Sequence, residues 1–347
     1  MNKYISIFFC VQIIALNLFA MQPKVTPVDY VRPQIDTHKS RWFFFSSASR
    51  PFGMVSLSPD TWTEGSWNSG YLYNSKEIRC FSHVHCWQLA GVPVMPTTGE
   101  VKGHKGMDAY KSTYSHETEI VKPGYHKVEL DTYQIRVELT STSRVGMHRY
   151  TYPAGEKANV LFDVGALLAH GKTEKAAIHR ISSKEIGGYS VLAPTSRRKK
   201  PVTVYFVARF NQNMTAFGGW EKEGKEKKLV HKNSIEGADI GGYASFGKLK
   251  KQTLLMKVGI SYVSEEQARI NLEKELAHWN FDRVKEDAFA EWNRELGKIT
   301  VEGGSEEEKI KFYTDLWHSL LGRHTFSDFN GKYIDNTGEE PVVRQVP

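Results

Sequence analysis

The fold class is decided by the stretch Tyr133-Gln134-Ile135-Arg136-Val137-Glu138-Leu139-Thr140, in which apolar and polar side chains alternate. A period of two places every second side chain on one face of a β-strand, so we expect one face of this strand to lie in a core. Similar patterns predict strands at 145–152, 159–164, 202–210 and 254–262. Because glycine-rich turns rather than helical patterns separate these segments, the sequence predicts an antiparallel β-sandwich.

The pattern changes to a helical period at Ser264. Ser264 and Gln267 form a capping-box pair, which predicts a helix from there to about residue 278. A second helix is predicted from about 281 to 296, and Gly297 is expected to end it. The apolar residues that recur on one face of this second helix are Phe281, Val284, Ala288, Trp292 and Leu296.

A third helix is predicted after a break at Gly303-Gly304. Ser305 and Glu308 form a second capping-box pair at its start. The helix has a wide apolar surface, formed by Ile310, Phe312, Tyr313, Leu316, Trp317, Leu320 and Leu321. A surface of this width needs packing partners. One sandwich and two helices cannot bury it, so we expect the surface to stay exposed and the chain to self-associate.

Composition and charge are typical of a globular protein. The 347 residues suffice for about two domains, and 40 % of them are apolar. Much of the net charge of +7 comes from a basic run at 197–200 and a Lys/Glu-rich run at 221–232, and neither contains Phe, Trp or Tyr. We interpret both runs as solvated loops and expect no nucleic-acid partner.

Residues 1–20 have the pattern of a signal peptide. A positively charged start precedes an apolar stretch that ends at the small residue Ala20. The stretch is short for a membrane span, although an uncleaved anchor is the alternative. We therefore expect an exported protein, periplasmic or extracellular. After cleavage only Cys80 and Cys86 remain, and they form either one disulfide or two free thiols.

Short motifs follow one another in a fixed order over about 300 residues. They are Arg50-Pro51-Phe52-Gly53-Met54-Val55, Leu57-Ser58-Pro59-Asp60-Thr61, Trp67-Asn68-Ser69-Gly70-Tyr71-Leu72-Tyr73, Phe81-Ser82-His83-Val84-His85, Met95-Pro96-Thr97-Thr98-Gly99, Pro123-Gly124-Tyr125, Arg144-Val145-Gly146-Met147-His148-Arg149-Tyr150, Lys257-Val258-Gly259-Ile260-Ser261, Phe312-Tyr313, Leu316-Trp317-His318-Ser319-Leu320-Leu321 and Phe326-Ser327-Asp328. In their order and spacing they resemble glycoside hydrolase family 92, the exo-acting, calcium-dependent α-mannosidases. Residues 32–42 depart from the glycine-rich segment of many members, which leaves the glycosidic linkage open.

The resemblance implies a domain order. Residues 1–20 are then the signal peptide, 23–263 the N-terminal antiparallel β-sandwich, 264–304 a helical linker, and 305–347 the start of a truncated (α/α)6 catalytic barrel. In this family the active site lies between the sandwich and the barrel. The missing C-terminal (α/α)6 domain is therefore an expected partner of this chain.

The resemblance also implies a chemistry. An inverting glycosidase uses a carboxylic acid and a carboxylate base, and the family adds a bound Ca²⁺. The family's carboxylates and calcium ligands belong to the barrel, so they are expected beyond Pro347. We therefore assign no catalytic residue and no metal ligand in this chain, and expect it to be inactive alone. Asp60, Glu64 and Asp328 are interpreted as loop or cap residues.

Three aromatic residues are candidates for substrate binding. Trp67 lies in a Gly/Ser/Asn-rich loop with Tyr71, and the resemblance implies a sugar platform at this position. The alternative is an aromatic side chain that packs the loop. Trp87, which follows the His-x-His motif, is a candidate for a second platform.

Three polar residues complete the set of candidates. His83 and His85 are two apart, so on a strand they share one face. We interpret them as hydrogen-bonding to substrate or to a neighbouring loop, with a metal pair or a satisfied structural role as alternatives. Arg50 is expected to reach a sugar hydroxyl or a barrel carboxylate, unless it forms a structural ion pair.

Two functions follow from these observations. The first is the N-terminal part of an inverting exo-α-mannosidase (α-1,2-mannosidase-like) that acts on mannose-containing glycans or glycoproteins, with the sandwich as one wall of the substrate pocket. The second is a standalone carbohydrate-binding β-sandwich without catalytic activity. The broad apolar surface after Ser305 favours the first, because a finished binding module would not end on such a helix.

Overall fold

The computed structural model describes residues 25–38, 45–63, 70–86, 89–166, 172–196 and 198–346. The predicted signal peptide and the candidates Trp67 and Trp87 lie outside these residues, as does Glu64. In the part of the chain that is described, no helix is long and apolar enough to cross a membrane.

Two antiparallel sheets dominate the described residues. The strands in chain order are β1 (Ser58–Asp60), β2 (Glu77–Ile78), β3 (Cys80–Ser82), β4 (Val84–Cys86), β5 (Leu89–Gly91), β6 (Val94–Thr98), β7 (Ser112–Thr113), β8 (Ile120–Lys122), β9 (Tyr125–Leu130), β10 (Ile135–Ser141), β11 (Val145–Thr151), β12 (Lys157–Phe162), β13 (Thr173–Arg180), β14 (Glu185–Leu192), β15 (Val202–Phe210), β16 (Ala216–Glu223), β17 (Glu226–Val230), β18 (Ser234–Gly237), β19 (Gly241–Lys248), β20 (Thr253–Ser261), β21 (Lys332–Asp335) and β22 (Val342–Gln345). The helices are α1 (Met107–Tyr110), α2 (Glu265–Glu275), α3 (Phe281–Leu296) and α4 (Glu306–Leu321), with 3-10 helices at Pro27–Tyr30 and Gly103–Lys105.

The two sheets pack face to face. Within the described residues, one has seven strands in the order β1-β3-β6-β12-β19-β16-β17, and the other has nine in the order β18-β13-β14-β15-β20-β11-β10-β9-β8. Apolar side chains from both inner faces form one core, in which the rings of Phe162 and Phe206 stack with 5.9 Å between centroids. This confirms the predicted β-sandwich.

Each of the five predicted strands is present with its ends moved by no more than two residues. The stretch that decided the fold class becomes β10, which begins at Ile135 rather than Tyr133. Residues 131–134 form a turn instead, and Gln134 has a positive φ of 51° there. The turn joins β9 to β10 in an antiparallel pair, in which Leu130 faces Ile135.

Helices α2 and α3 cover the outer face of the nine-stranded sheet. A second core forms there from strand residues such as Met147 and helix residues such as Leu272. A Cβ at Gly259 would lie 2.4 Å from the carbonyl oxygen of Ala268, so α2 contacts the strand backbone directly. The alternating pattern predicts one face in a core, whereas both faces are buried because the helices that follow the sandwich pack back onto it.

The helix starts follow the predicted capping pairs to different degrees. Ser264 Oγ accepts from the Gln267 N–H at 3.1 Å, but Gln267 Oε1 has no hydrogen-bond partner among the described residues, so only half of this capping box forms. The helix also ends at Glu275, earlier than predicted. Helix α3 has the predicted bounds, and its five predicted apolar residues are the buried ones.

Helix α4 begins with a complete capping box. The Ser305 N–H donates to Glu308 Oε2 at 2.8 Å, and the Glu308 N–H donates to Ser305 Oγ at 3.2 Å. On its apolar surface Tyr313, Trp317 and Leu321 are buried. The remaining large side chains of the surface that join the same cluster, Phe312, Leu316 and Leu320, are half-buried.

The N-terminal segment 25–38 supplies packing partners that the sequence did not reveal. Val28 and Val31 join the cluster around Trp317, and the ring of Tyr30 stacks on Tyr313 with 5.7 Å between centroids. The Arg32 N–H donates to Thr314 Oγ1 at 3.0 Å. The expectation that this apolar surface stays uncovered is therefore wrong for its three most buried residues, because chain from the opposite end lies across it.

Candidate functional site

A buried ion pair between His85 and Asp60 lies at the edge of the seven-stranded sheet. His85 Nδ1 donates to the Ser56 carbonyl at 2.6 Å, and Nε2 lies 2.9 Å from Asp60 Oδ1. Ser82 Oγ and Cys80 Sγ donate to the other carboxylate oxygen. Burial lowers the pKa of His85, but the charge and hydrogen bond of Asp60 raise it further, above its usual value. The imidazole is therefore held as a cation.

Trp62 and Gly70 flank segment 64–69 and lie beside this ion pair. Trp62 and Gly70 form an isolated antiparallel bridge, with N···O distances of 3.0 and 2.8 Å. Gly70 has a φ of 106°, and a Cβ there would lie 3.4 Å from His85 Cδ2. Glycine therefore lets the backbone turn directly against the imidazole. The two ends of the segment that carries Trp67 are fixed at this point.

A cleft of about 590 Å³ opens next to β4. We call it the aromatic cleft; it is lined chiefly by Tyr205, Tyr262, His324 and Phe326, with Cys86 and Arg198 at its sides. The rings of Tyr262 and Phe326 lie 5.3 Å apart between centroids. No Asp or Glu is among the described residues that line it. Sequence reasoning did not identify these residues, although Phe326 belongs to one of the motifs.

His324, which lines this cleft, has one ring nitrogen without a hydrogen-bond partner among the described residues. Its Nδ1 donates to the Gly53 carbonyl at 3.0 Å, which places the proton on that nitrogen. Burial lowers the pKa of His324, so the ring is neutral at physiological pH. Its Nε2 has no hydrogen-bond partner among the described residues. A hydroxyl group of a ligand would satisfy this nitrogen.

His83 takes part in a buried chain of neutral groups. Its Nδ1 donates to the Val92 carbonyl at 2.7 Å, and its Nε2 lies 2.8 Å from His148 Nε2. Tyr150 donates to His148 Nδ1 at 2.9 Å. Burial lowers the pKa of His83 to about 4 and that of His148 well below its usual value. A Cβ at Gly146 would lie 2.7 Å from His83 Cδ2, so glycine makes room for the ring.

The two histidines of the His-x-His motif therefore do not act as a pair. Both nitrogens of His83 are engaged inside the core, and both nitrogens of His85 bond to Ser56 and Asp60. Among the described residues no group of three or more His, Cys, Asp or Glu side chains is arranged to hold a metal ion. For His83 the structure forms the satisfied structural role that the sequence left as an alternative.

Tyr71 is buried, and its hydroxyl is already bonded. The ring stacks on Phe45 with 4.1 Å between centroids. The hydroxyl donates to Glu119 Oε2 at 2.9 Å and accepts from Gln34 Nε2 at 2.9 Å. Burial raises the pKa of Glu119, but hydrogen bonds from neighbouring histidines and Tyr71 bring it below its usual value. Tyr71 thus packs the loop and holds a buried carboxylate, which is the alternative to direct sugar contact.

Arg50 joins the sandwich to α3. Its Nη1 donates to Glu291 Oε2 at 2.5 Å, its Nη2 to the Val284 carbonyl at 3.2 Å, and its Nε to the Ser141 carbonyl at 2.7 Å. The side chain is only 9 % exposed. The structure therefore forms the structural ion pair that the sequence left as an alternative, and a contact of Arg50 with a sugar hydroxyl or a barrel carboxylate stays a prediction.

The remaining residues singled out by the sequence have structural partners. Cys80 and Cys86 are free thiols, so no disulfide joins them. Burial raises the pKa of the Cys86 thiol to about 12, so it is not a nucleophile at neutral pH. Asp328 accepts from Ser261 Oγ at 2.9 Å and from Asn271 Nδ2 at 2.7 Å, which fixes the segment after α4 on the sandwich.

Two family models match this chain. The glycosyl hydrolase family 92 N-terminal domain matches residues 30–261, more than half of the chain, and the family's catalytic domain matches residues 267–344. The chain belongs to glycosyl hydrolase family 92. The first match ends with β20 and the second begins in the first turn of α2, where the sheet gives way to helices.

Solved family 92 structures have the same fold. An α-mannosidase from Bacteroides thetaiotaomicron superposes with a TM-score of 0.81 at 28 % identity, over 94 % of this chain and 45 % of its own. Its complex with mannoimidazole gives the same TM-score and identity over 93 % and 43 %. An inverting family 92 mannosidase from the same organism gives a TM-score of 0.78 at 24 % identity, over 93 % and 44 %.

A curated relative carries a matching description. It is an uncharacterized secreted glycosidase from Arthroderma benhamiae, 23 % identical over 330 residues, which are 86 % of this chain and 40 % of the relative. This chain thus spans less than half the length of the relatives and structures it matches. The family resemblance seen in the motifs is confirmed.

Proposed function

We propose that this family 92 chain forms the sugar-binding wall of an inverting exo-α-mannosidase that acts on mannose-containing glycans or glycoproteins. The α-mannosidase from Bacteroides thetaiotaomicron, at 28 % identity, supports the substrate class, and its complex holds a mannose-like imidazole. The match to the family's catalytic domain at 267–344 supports an enzyme rather than a standalone carbohydrate-binding sandwich.

The chemistry of the aromatic cleft carries this proposal. Tyr262 and Phe326 offer apolar ring surface, and His324 Nε2 offers an acceptor for a hydroxyl group. These are the groups that bind a sugar. Inverting hydrolysis needs two carboxyl groups roughly 6.5–9.5 Å apart, and the described lining has none. The wall therefore binds and orients the sugar, and the acid and base come from the catalytic domain beyond Pro347.

Calcium belongs to this proposal only through the family. The described residues contain no arrangement of three or more His, Cys, Asp or Glu that fits a metal ion. As the family resemblance implies, we propose that its ligands belong to the catalytic barrel, and no step is routed through it. Trp67 and Trp87 stay proposed sugar platforms, and His85 packs against Gly70, the residue that follows the Trp67 segment.

Export is part of the proposed function. The signal-like pattern of residues 1–20 and the secreted relative support a periplasmic or extracellular location. Mass spectrometry of the mature protein should show the loss of about the first 20 residues. An intact Met1 in a cytoplasmic fraction would exclude this location.

A pair of matched variants tests the binding role. Phe326 and Phe329 are similarly exposed and lie on the same segment, but only Phe326 lines the aromatic cleft. Calorimetric titration with methyl α-mannoside should show affinity about tenfold weaker for Phe326→Ala and unchanged for Phe329→Ala. Equal affinities of the two variants would contradict the assignment of the cleft.

The same preparation tests where the chemistry lies. The chain is incubated with an aryl α-mannoside in the presence of added Ca²⁺, and release of the phenol is followed. We expect no turnover, because the described lining of the cleft contains no carboxyl group to act as the acid or base that hydrolysis requires. Calcium-dependent turnover would show that catalytic carboxylates are present in this chain and that the site has been placed wrongly.

A further inference from the structure

A second cleft, of about 690 Å³, lies between the two sheets where β12 ends and β13 begins. We call it the Asp163 cleft. It is lined by Asp163, Thr173, Ile240 and Met107, together with charged residues of β16, β17 and β18 and the turn before β19. It shares no lining residue with the aromatic cleft, so it is a separate feature of the fold.

Two buried polar atoms in this cleft lack partners. Asp163 is 5 % exposed; its Oδ2 accepts from the Tyr110 hydroxyl at 2.7 Å, but its Oδ1 has no hydrogen-bond partner among the described residues. Thr173 is also 5 % exposed, and its Oγ1 likewise has no partner in the described part of the chain. Buried polar groups are almost always hydrogen-bonded, so two orphans in one cleft point to a ligand that supplies both bonds.

The charges of the cleft indicate what kind of ligand fits. Its other carboxylates are each in an ion pair: Asp239 with Lys227, Glu236 with Lys175, and Glu221 with Lys232. A divalent cation would have to displace these ammonium groups. The lining also contains Lys172 and Lys222, but an anion held by them has no proton to donate to Asp163 Oδ1. A neutral hydroxyl donates to Asp163 Oδ1 and exchanges a hydrogen bond with Thr173 Oγ1 without disturbing an ion pair.

We propose that the Asp163 cleft is a second carbohydrate site, which binds a neutral sugar unit through hydroxyl groups that bond Asp163 Oδ1 and Thr173 Oγ1. The choice of a sugar among neutral polyhydroxyl ligands rests on the proposed function, whereas the cleft and its orphaned atoms do not. The site would let the protein hold a second saccharide unit at a distance from the unit in the aromatic cleft.

Methyl groups in the two clefts report on them separately. Ile240 lines the Asp163 cleft, and Ile334 lines the aromatic cleft. The isoleucine methyl groups are ¹³C-labelled, and the protein is titrated with methyl α-mannoside and, in a second series, with methyl α-glucoside. We expect the Ile240 signal to shift and saturate with at least one of them. An Ile240 signal that neither sugar shifts would overturn the proposal.

Variants then assign the response to the orphaned atoms. Thr173→Val removes an unpartnered hydroxyl and should fold at least as well as the wild type. It should weaken the affinity reported by Ile240 by about tenfold. Thr203→Val, in the lining of the aromatic cleft, should leave that affinity unchanged. Asp163→Asn keeps an oxygen that accepts from the Tyr110 hydroxyl, and it should also weaken the affinity reported by Ile240.

The outcomes separate this site from the proposed function. If the Ile334 signal does not shift while the Ile240 signal saturates and depends on Thr173, the aromatic cleft is excluded as a sugar site and the Asp163 cleft is retained. An Ile240 shift that Thr173→Val and Asp163→Asn both leave unchanged would assign the shift to an unspecific effect of the sugar and overturn the proposal. Thermal unfolding of each variant shows that a lost response is not lost folding.

Discussion

Acid should unfold this protein through the buried chain Tyr150–His148–His83. Both imidazoles are neutral and fully buried in the folded state, because burial lowers the pKa of His83 to about 4 and that of His148 well below its usual value. In the unfolded chain each titrates near pH 6.5. As the pH falls below about 6.5, the unfolded state takes up protons that the folded state cannot accept, so the folded state loses stability.

The size of the effect follows from the pKa of His83. The difference between about 6.5 and about 4 corresponds to roughly 3 kcal/mol once the pH is below both values. At pH 5 the unfolded imidazole is almost fully protonated and the folded one is not, which costs about 2 kcal/mol. His148 adds a cost of the same sign. A total of this size is a large part of the roughly 5–15 kcal/mol that stabilises a typical domain.

His85 acts in the opposite direction. Its pKa is raised in the folded state by Asp60, so its contribution is fully present below about pH 6.5 and is lost as the pH rises through the raised value. The ion pair therefore contributes a constant stabilisation in the acid range and adds a decline on the alkaline side. The stability of the chain should have its maximum near neutral pH, with a steep decline on the acid side.

Urea unfolding at about pH 8, 6.5 and 5 measures this dependence. Each buried neutral histidine contributes a slope of about 1.4 kcal/mol per pH unit between its two pKa values. His148→Gln retains a donor for His83 and an acceptor for Tyr150, so it should fold and should lower the slope between pH 6 and 5 by about this amount. A slope that the variant leaves unchanged would refute the assignment of neutral, buried imidazoles.

Three further substitutions test the packing and the binding role. Gly124→Ala should lower the free energy of unfolding in urea by about 2–4 kcal/mol, because its φ is 82° and a Cβ would lie 2.6 Å from Ala288 Cβ; adding Ala288→Gly should relieve only the steric part. Arg50→Met should cost about 3 kcal/mol in the same assay by removing the buried partner of Glu291, which keeps only the exposed Arg294 at 3.8 Å, and an undiminished stability would contradict the ion pair. Trp67→Ala in the full-length enzyme should weaken catalysis by about 1–3 kcal/mol at unchanged melting temperature, and unchanged kinetics would exclude a sugar platform.

Features that depend on local pattern could be predicted from the sequence. The bounds of α3 follow from the spacing of five apolar residues, and the complete cap of α4 follows from Ser305 and Glu308 three positions apart. Strands β15 and β20 follow from alternation in the same way. In each case neighbouring residues in the chain contain the information, so no knowledge of the tertiary structure is needed.

The environment of the candidate residues could not be predicted in this way. Arg50 meets Glu291 across 241 positions of sequence, and Val28 packs near Trp317 from the other end of the chain. The aromatic cleft likewise combines residues of β15 with the segment after α4. Contacts over such distances leave no periodic signal in one sequence. The motifs identified the family, but the partners of each side chain required the fold.

The His-x-His motif shows how the fold gives two identical residues different charge states. His83 and His85 each donate Nδ1 to a backbone carbonyl, so both present Nε2 as the remaining nitrogen. For His83 that nitrogen meets another neutral imidazole, and for His85 it meets a carboxylate. The arrangement around His83 excludes a second ring proton, whereas the arrangement around His85 retains it. Because the cation lies directly against Gly70, loss of its proton should weaken the contact with Asp60 and disturb the Trp62–Gly70 bridge before it affects the core.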